Sequence, residues 1–173
     1  TGKHFPGHGT VVADSHVELP VDDRSESEIW AHDLRVFSDC IDVLDAVMPA
    51  HVCYPAVDQE CAGYSTVWLK SILRRRLGFE GIIFSDDLNM EAAKKIGDAV
   101  TRARKALSAG CDMVLLCNAP QSALEVADYL EISGHPGNPR LARLRGKPSA
   151  EIASLFETDK WATAAEAAGR LSE

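Results

Sequence analysis

The chain has 173 residues, 46% of them apolar, which is enough for a globular domain with a sizeable core, and nothing in its composition marks disorder. A formal charge of −8 and a pI near 5.2 exclude nucleic acid and anionic membrane surfaces as expected partners, because both demand clustered Lys and Arg to displace counterions. No apolar run approaches the roughly 18 residues of a membrane span, and the two basic runs, Arg74-Arg75-Arg76 and residues 140–147, read as solvated helix ends or linkers.

Five cysteines, Cys40, Cys53, Cys61, Cys111 and Cys117, are an odd number without CxxC spacing. That pattern argues against a disulfide framework or zinc knuckle and for a reducing compartment, so a cytoplasmic location is expected. The chain opens on Thr1 with no initiator methionine, and a preceding segment is expected.

Taken in order, the first element is the end of a strand at Lys3-His4, followed by a loop broken by Pro6, Gly7 and Gly9. Ser25 and Glu28 have capping-box spacing, and Ile29, Val36, Phe37 and Cys40 then fall on one predicted helical face. Residues 46–52 form an apolar run that suits a parallel strand buried on both sides. Trp68, Leu69, Ile72, Leu73 and Leu77 make the next helical stripe, ended by Gly78. A second apolar run, 81–84, precedes Ser85-Asp86-Asp87. Val100, Ala103 and Leu107 lead to Gly110 and a third run, 112–117. After Pro120 a helix carries Ala123, Leu124, Ala127 and Leu130; residues 135–139 break it, and helices around 149–156 and 159–171 finish the chain.

Strand starts lie 36 residues apart from Ala46 to Ile82 and 30 apart from Ile82 to Asp112, the length of a β-strand plus a crossover helix. Four such units make half of an eight-stranded barrel, and an open half leaves strand edges uncovered. The expected fold is therefore α/β: the C-terminal half of a (β/α)8 TIM-type barrel over residues 1–133, with a helical extension over 134–173 and the N-terminal half of the barrel absent. An open doubly wound sheet is the competing fold. In both, chemistry belongs at the C-terminal ends of the strands.

The residues suited to chemistry sit at those ends. Lys3, His4, His8, Asp14 and His16 crowd one glycine-rich loop. Asp14 and His16 are one residue apart, so in extended backbone they leave the same face of the chain. A carboxylate on one imidazole nitrogen fixes the tautomer and raises the basicity of the other, which makes an oriented proton carrier. A metal set of His4, His8, His16 and Asp14 is the competing reading; its H-x-x-x-H spacing needs a helix to converge, and Pro6-Gly7 forbids one. Asp86 and Asp87 form the second cluster. Two adjacent carboxylates at a strand end repel unless compensated, and Asp87 is placed to cap the helix that follows, which leaves Asp86 to face a pocket.

The stretches Lys3-His4-Phe5-Pro6-Gly7-His8-Gly9, Asp14-Ser15-His16, Met48-Pro49-Ala50-His51-Val52, Leu77-Gly78-Phe79, Phe84-Ser85-Asp86-Asp87-Leu88-Asn89-Met90 and Ala109-Gly110-Cys111-Asp112-Met113 closely resemble, in order, the bacterial β-N-acetylhexosaminidases of the third glycoside hydrolase family. The resemblance runs to about residue 120 and implies a (β/α)-barrel enzyme of peptidoglycan recycling that removes terminal N-acetylglucosamine from muropeptides with retention of configuration. It implies Asp86 as nucleophile, His16 with Asp14 behind it as acid/base, and Lys3 and His4 as sugar contacts, with no metal or organic cofactor. Two alternatives stay open: substrate-assisted hydrolysis, in which Asp86 and Asp87 polarise the 2-acetamido group, and a carbohydrate-binding or assembly fragment without turnover. The expected partners are an N-acetylglucosamine-containing muropeptide and the N-terminal half of the same barrel.

Overall fold

Three βα repeats and a closing helix place four parallel strands side by side. The computed structural model describes residues 1–12, 19–146 and 154–170, which fall into two compact units, Thr1–Leu141 and Ala142–Glu173. In the first unit β1 (Gly2–Phe5), β2 (Ala46–Pro49), β3 (Ile82–Asp87) and β4 (Met113–Leu115) form one sheet in the order β1-β2-β3-β4, every pair parallel. β2 and β4 are shorter than the apolar runs that announce them, 46–52 and 112–117, whereas β3 outlasts its run, 81–84, and continues through Asp87.

Helix α1 (26–43) opens on the predicted capping box: the Ser25 side chain accepts from the Glu28 amide, and Glu28 reaches back to the Ser25 amide. Its buried face is the predicted one only in part. Ile29, Leu34 and Phe37 are buried, whereas Val36 is 62% exposed and Cys40 is exposed. The cause is a wider turn, with i→i+5 pairing over Trp30–Leu34, which turns each later residue away from its 3.6-residue position. Helix α2 (Val67–Arg76) is wound the same way and still buries Trp68, Leu69, Ile72 and Leu73 as predicted. The chain leaves it through Gly78 at φ +73°, a conformation that costs a glycine little.

Helix α3 (Glu91–Lys94) is one turn; α4 (Ala99–Ala109), capped by Asp98, buries Ala99, Ala103, Ala106 and Ala109 and packs on α5 (Pro120–Ile132). On α5 only Val126 is buried, and Leu124, predicted to face inward, is 59% exposed. The core centres on an edge-to-face aromatic set, Phe5 on Phe37 and Trp68, and Trp68 on Tyr54, with ring centroids 5.2, 5.9 and 5.3 Å apart. Phe5 is fully buried and follows His4 directly, so burial of one ring, worth about 1.5–3 kcal/mol, fixes the strand end next to the chemistry. The Cys53 and Cys61 sulfurs are in contact at 2.8 Å, and the five cysteines are thiols.

In the second unit α6 (Asp159–Gly169) is capped by Thr158, and Phe156 and Trp161 touch edge to face at 4.6 Å. Of the predicted helix at 149–156, residues 149–153 lie outside the described residues, as does Leu171. No helix among the described residues is long and apolar enough to cross a membrane.

Candidate functional site

All four strands end at one cleft of about 630 Å³, lined by Lys3, His4 and His8, by Met48, by Asp86 and Asp87, and by Leu115 and Cys117 among others. A regular strand sends successive side chains to opposite faces, so Lys3 with His4, and Asp86 with Asp87, ought to diverge. The register resolves this. Lys3 pairs with Met48 but Phe5 with Pro49, and Phe84 pairs with Met113 but Asp87 with Leu115; each of β1 and β3 thus carries one residue more than its neighbour at the rim. Such bulges re-aim side chains beside functional sites, and here they turn two consecutive residues of each strand toward the same space.

The two carboxylates are held differently. Asp87 Oδ1 accepts from the amides of Asn89 and Cys117, both at 2.9 Å, which caps the turn after β3 and ties it to the chain beyond β4. The predicted helix cap is not formed: Asp87 closes the turn before α3, and the N-cap position of α3 is Met90. Asp86 Oδ1 accepts from the Asp87 amide at 2.8 Å, while Oδ2 faces His4 Nε2 at 3.8 Å, an ion-pair distance when the imidazole is protonated but too long for a hydrogen bond. The side chains of His4 and Asp86 are 34% and 14% exposed, which leaves this pair open to a ligand. His8 stands edge-on to His4, with ring centroids 6.1 Å apart.

Asp14 and His16 lie outside the described residues. The ends of the segment that carries them are anchored. The buried Tyr54 hydroxyl donates to the Gly7 carbonyl, and burial pushes its pKa up, so it remains a donor across the working range. On the return side the Cys53 amide donates to the Pro20 carbonyl at 3.0 Å, and the Asp22 amide to the Cys53 carbonyl at 2.9 Å. Arg24 then bridges Asp22 and Asp33, both at 2.7 Å, and its guanidinium holds the Asp22 carboxyl below the usual carboxylate range. Asp33 in turn packs on Gly7: a Cβ there would lie 2.1 Å from Asp33 Oδ1. Exit and return of the segment thus rest on one buried cluster.

Three lining or supporting groups have no role assigned from the sequence. Met48 contributes an apolar wall, and the Cys117 thiol is held protonated by burial and by the nearby Asp87 and Asp86 charges. His51 is 1% exposed and puts Nε2 at 3.0 Å from the Asp87 carbonyl. A histidine inside an otherwise apolar run was the available signal for it.

Comparison with known proteins places this geometry. The family model for the glycosyl hydrolase family 3 N terminal domain matches residues 1–144. A beta-hexosaminidase of Methylobacillus flagellatus is 52% identical over 162 residues, covering 91% of this chain and 46% of that protein. One from Vibrio cholerae is 48% identical over 175 aligned positions, covering 100% and 51%. The crystal structure of NagZ from Neisseria gonorrhoeae in complex with N-trifluoroacetyl-D-glucosamine superposes with a TM-score of 0.74 at 43% identity, over 94% of this chain and 47% of that one. The chain spans about half the length of the curated relatives it matches. In the family's own division the matching domain is the N-terminal one, which corrects the expectation of a C-terminal portion in that respect. An α/β chain with a parallel sheet, a two-carboxylate rim and relatives named beta-hexosaminidase belongs to glycosyl hydrolase family 3.

Proposed function

We propose that this chain supplies the Asp86 side of a retaining exo-β-N-acetylglucosaminidase that acts in the cytoplasm on terminal N-acetylglucosamine of cell-wall muropeptides. The observation that carries the proposal is the asymmetry of the carboxylates: Asp87 is spent on backbone amides, and Asp86 keeps one oxygen turned to the cleft. The same asymmetry favours a covalent route over one in which both carboxylates polarise the acetamido group. The glucosamine derivative bound by the Neisseria relative supports the sugar class.

In the first step an Asp86 carboxylate oxygen attacks the anomeric carbon, the bond to the aglycone breaks, and the imidazolium of His16 gives its proton to the departing oxygen. Neutral His16 then takes a proton from water as that water attacks the glycosyl ester, and Asp86 is released. Asp14 favours the charged imidazole in the first step, and Lys3 and His4 hold sugar hydroxyls so that the anomeric carbon lies in line with Asp86. The two steps balance without a metal or organic cofactor.

The sequential strand order supports a barrel, with residues 1–133 in the catalytic domain and 134–173 as a helical extension, completed by further βα units of the same protein. In the complete protein an N-acetylglucosaminide fluorinated on the ring at C5, with a good leaving group at C1, is expected to leave a sugar ester on Asp86, found by peptide mass spectrometry. A label on Asp87, or inactivation without a label, overturns the assignment.

A further inference from the structure

We propose that His51 is a positioning residue of this site, holding the Asp87 carbonyl with a proton fixed on Nε2 and so setting the aim of the Asp86 carboxylate. The inference rests on the reading of Asp86 as nucleophile. A carbonyl oxygen only accepts, so the 3.0 Å contact between His51 Nε2 and Asp87 O requires the proton on Nε2. Nδ1 is then a bare acceptor; it is buried without a hydrogen-bond partner among the described residues, and a Cβ on Gly63 would sit 3.7 Å from it. The Tyr64 ring stacks on the imidazole at 5.6 Å and 17°, which fixes its plane. Burial pushes the imidazole pKa down; the charges of Asp86 and Asp87 oppose this and His4 adds to it. The ring is thus a neutral donor of one tautomer with nowhere to turn.

Asp87 stands between His51 and Asp86. Its carboxylate is tied by the Asn89 and Cys117 amides, and its carbonyl by His51 and by the Met90 amide at 3.2 Å. The group left is its own amide, which donates to Asp86 Oδ1 at 2.8 Å. Fixing the carbonyl fixes ψ of Asp87 and, with the carboxylate ties, the direction of that amide. A donor in the wall behind the strand end thereby keeps Asp86 Oδ2 turned outward, where an error of about 1 Å costs on the order of 10²-fold in rate.

The test uses the complete enzyme with His51→Gln, His51→Asn and His51→Leu. The amide of Gln reaches the place of Nε2; that of Asn is one carbon short, and Leu has no donor. Single-turnover release of nitrophenol from a nitrophenyl N-acetylglucosaminide is expected to slow by about 10²-fold in the Leu and Asn variants with KM within a few-fold, and to recover most of that loss in Gln. In wild type, ¹⁵N imidazole spectra are expected to show Nε2 protonated and Nδ1 bare, a result that needs no variant to fold. A Gln variant as slow as Leu, a loss confined to KM, or a proton on Nδ1 overturns the proposal. Covalent labelling separates the two levels. A wild-type label on a residue other than Asp86 overturns the nucleophile and His51 together, whereas a label on Asp86 at a rate unchanged by His51→Leu overturns His51 alone.

Discussion

The two ends of the strands are built to different rules. At the N-terminal end, Arg74 donates to the Phe79 and Gly81 carbonyls at 2.8 and 2.6 Å and to Asp112 Oδ2 at 2.6 Å; the same oxygen accepts from the Ile83 amide at 2.8 Å, and Oδ1 from the Asn138 side chain. Both oxygens of that carboxylate are occupied. At the C-terminal end, Asp86 Oδ2 faces His4 at 3.8 Å within the cleft, His51 Nδ1 has no hydrogen-bond partner among the described residues, and consecutive residues are turned to one face by bulges. A saturated network resists unfolding but has no valence left for a ligand; an unsaturated one has the reverse property.

The sharpest way to break this contrast is at Asp86. Asp86→Asn is expected to lower the glycosylation rate of the complete enzyme on the order of 10⁴-fold, with urea stability within about 0.5 kcal/mol of wild type. Loss of stability without loss of rate would assign the open end a structural role. His16→Ala is expected to cost about 10²–10⁴-fold on a natural disaccharide in the glycosylation step and far less on a nitrophenyl glycoside. Asp14→Ala costs less and shifts the pH profile. Equal losses on both substrates would take His16 out of the acid role.

At the other end Asp112→Ala should do the opposite, removing about 3–5 kcal/mol by stranding the Arg74 guanidinium while leaving turnover per folded molecule unchanged. Urea denaturation beside active-site titration reads both quantities. The smallest effect concerns His51. Its folded pKa is lowered, so its stability contribution is whole above the unfolded value of 6.5 and is lost as pH falls toward the folded pKa. Wild type should therefore lose more stability than His51→Gln as pH falls below about 6.5; parallel stability curves for the two proteins would mean that the imidazole is not buried neutral.

Local rules made part of this legible from residue types. Ser25 and Glu28 announce their cap and Gly78 its helix end, whereas Asp87, expected to cap a helix, caps the turn before it. Periodicity misleads where the winding changes: at 3.6 residues per turn Val36 falls on the inner face, but the wider turn over Trp30–Leu34 puts Leu34 inside instead. Leu124 failed for another reason, because a stripe marks a face that is able to be buried and not one that is covered. At the site, Lys3, His4 and Asp86 were readable as unusual types at strand ends, and the structure brings them to one cleft. His51 was not readable as a support, since its role depends on a carbonyl 36 residues away.

Gly7 shows how narrow the tolerance of the rim is. Its need is for space: the side chain it lacks would occupy the place of Asp33. One added methyl would therefore be felt as a chain of displacements, from Asp33 to Arg24 to Asp22 and so to the backbone pairing with Cys53. The two ends of the fourteen-residue segment from Gly7 to Pro20 are gauged against each other by a single missing atom, so an inherited change at Gly7 would be read as a fault at the far end of the loop, which it never touches.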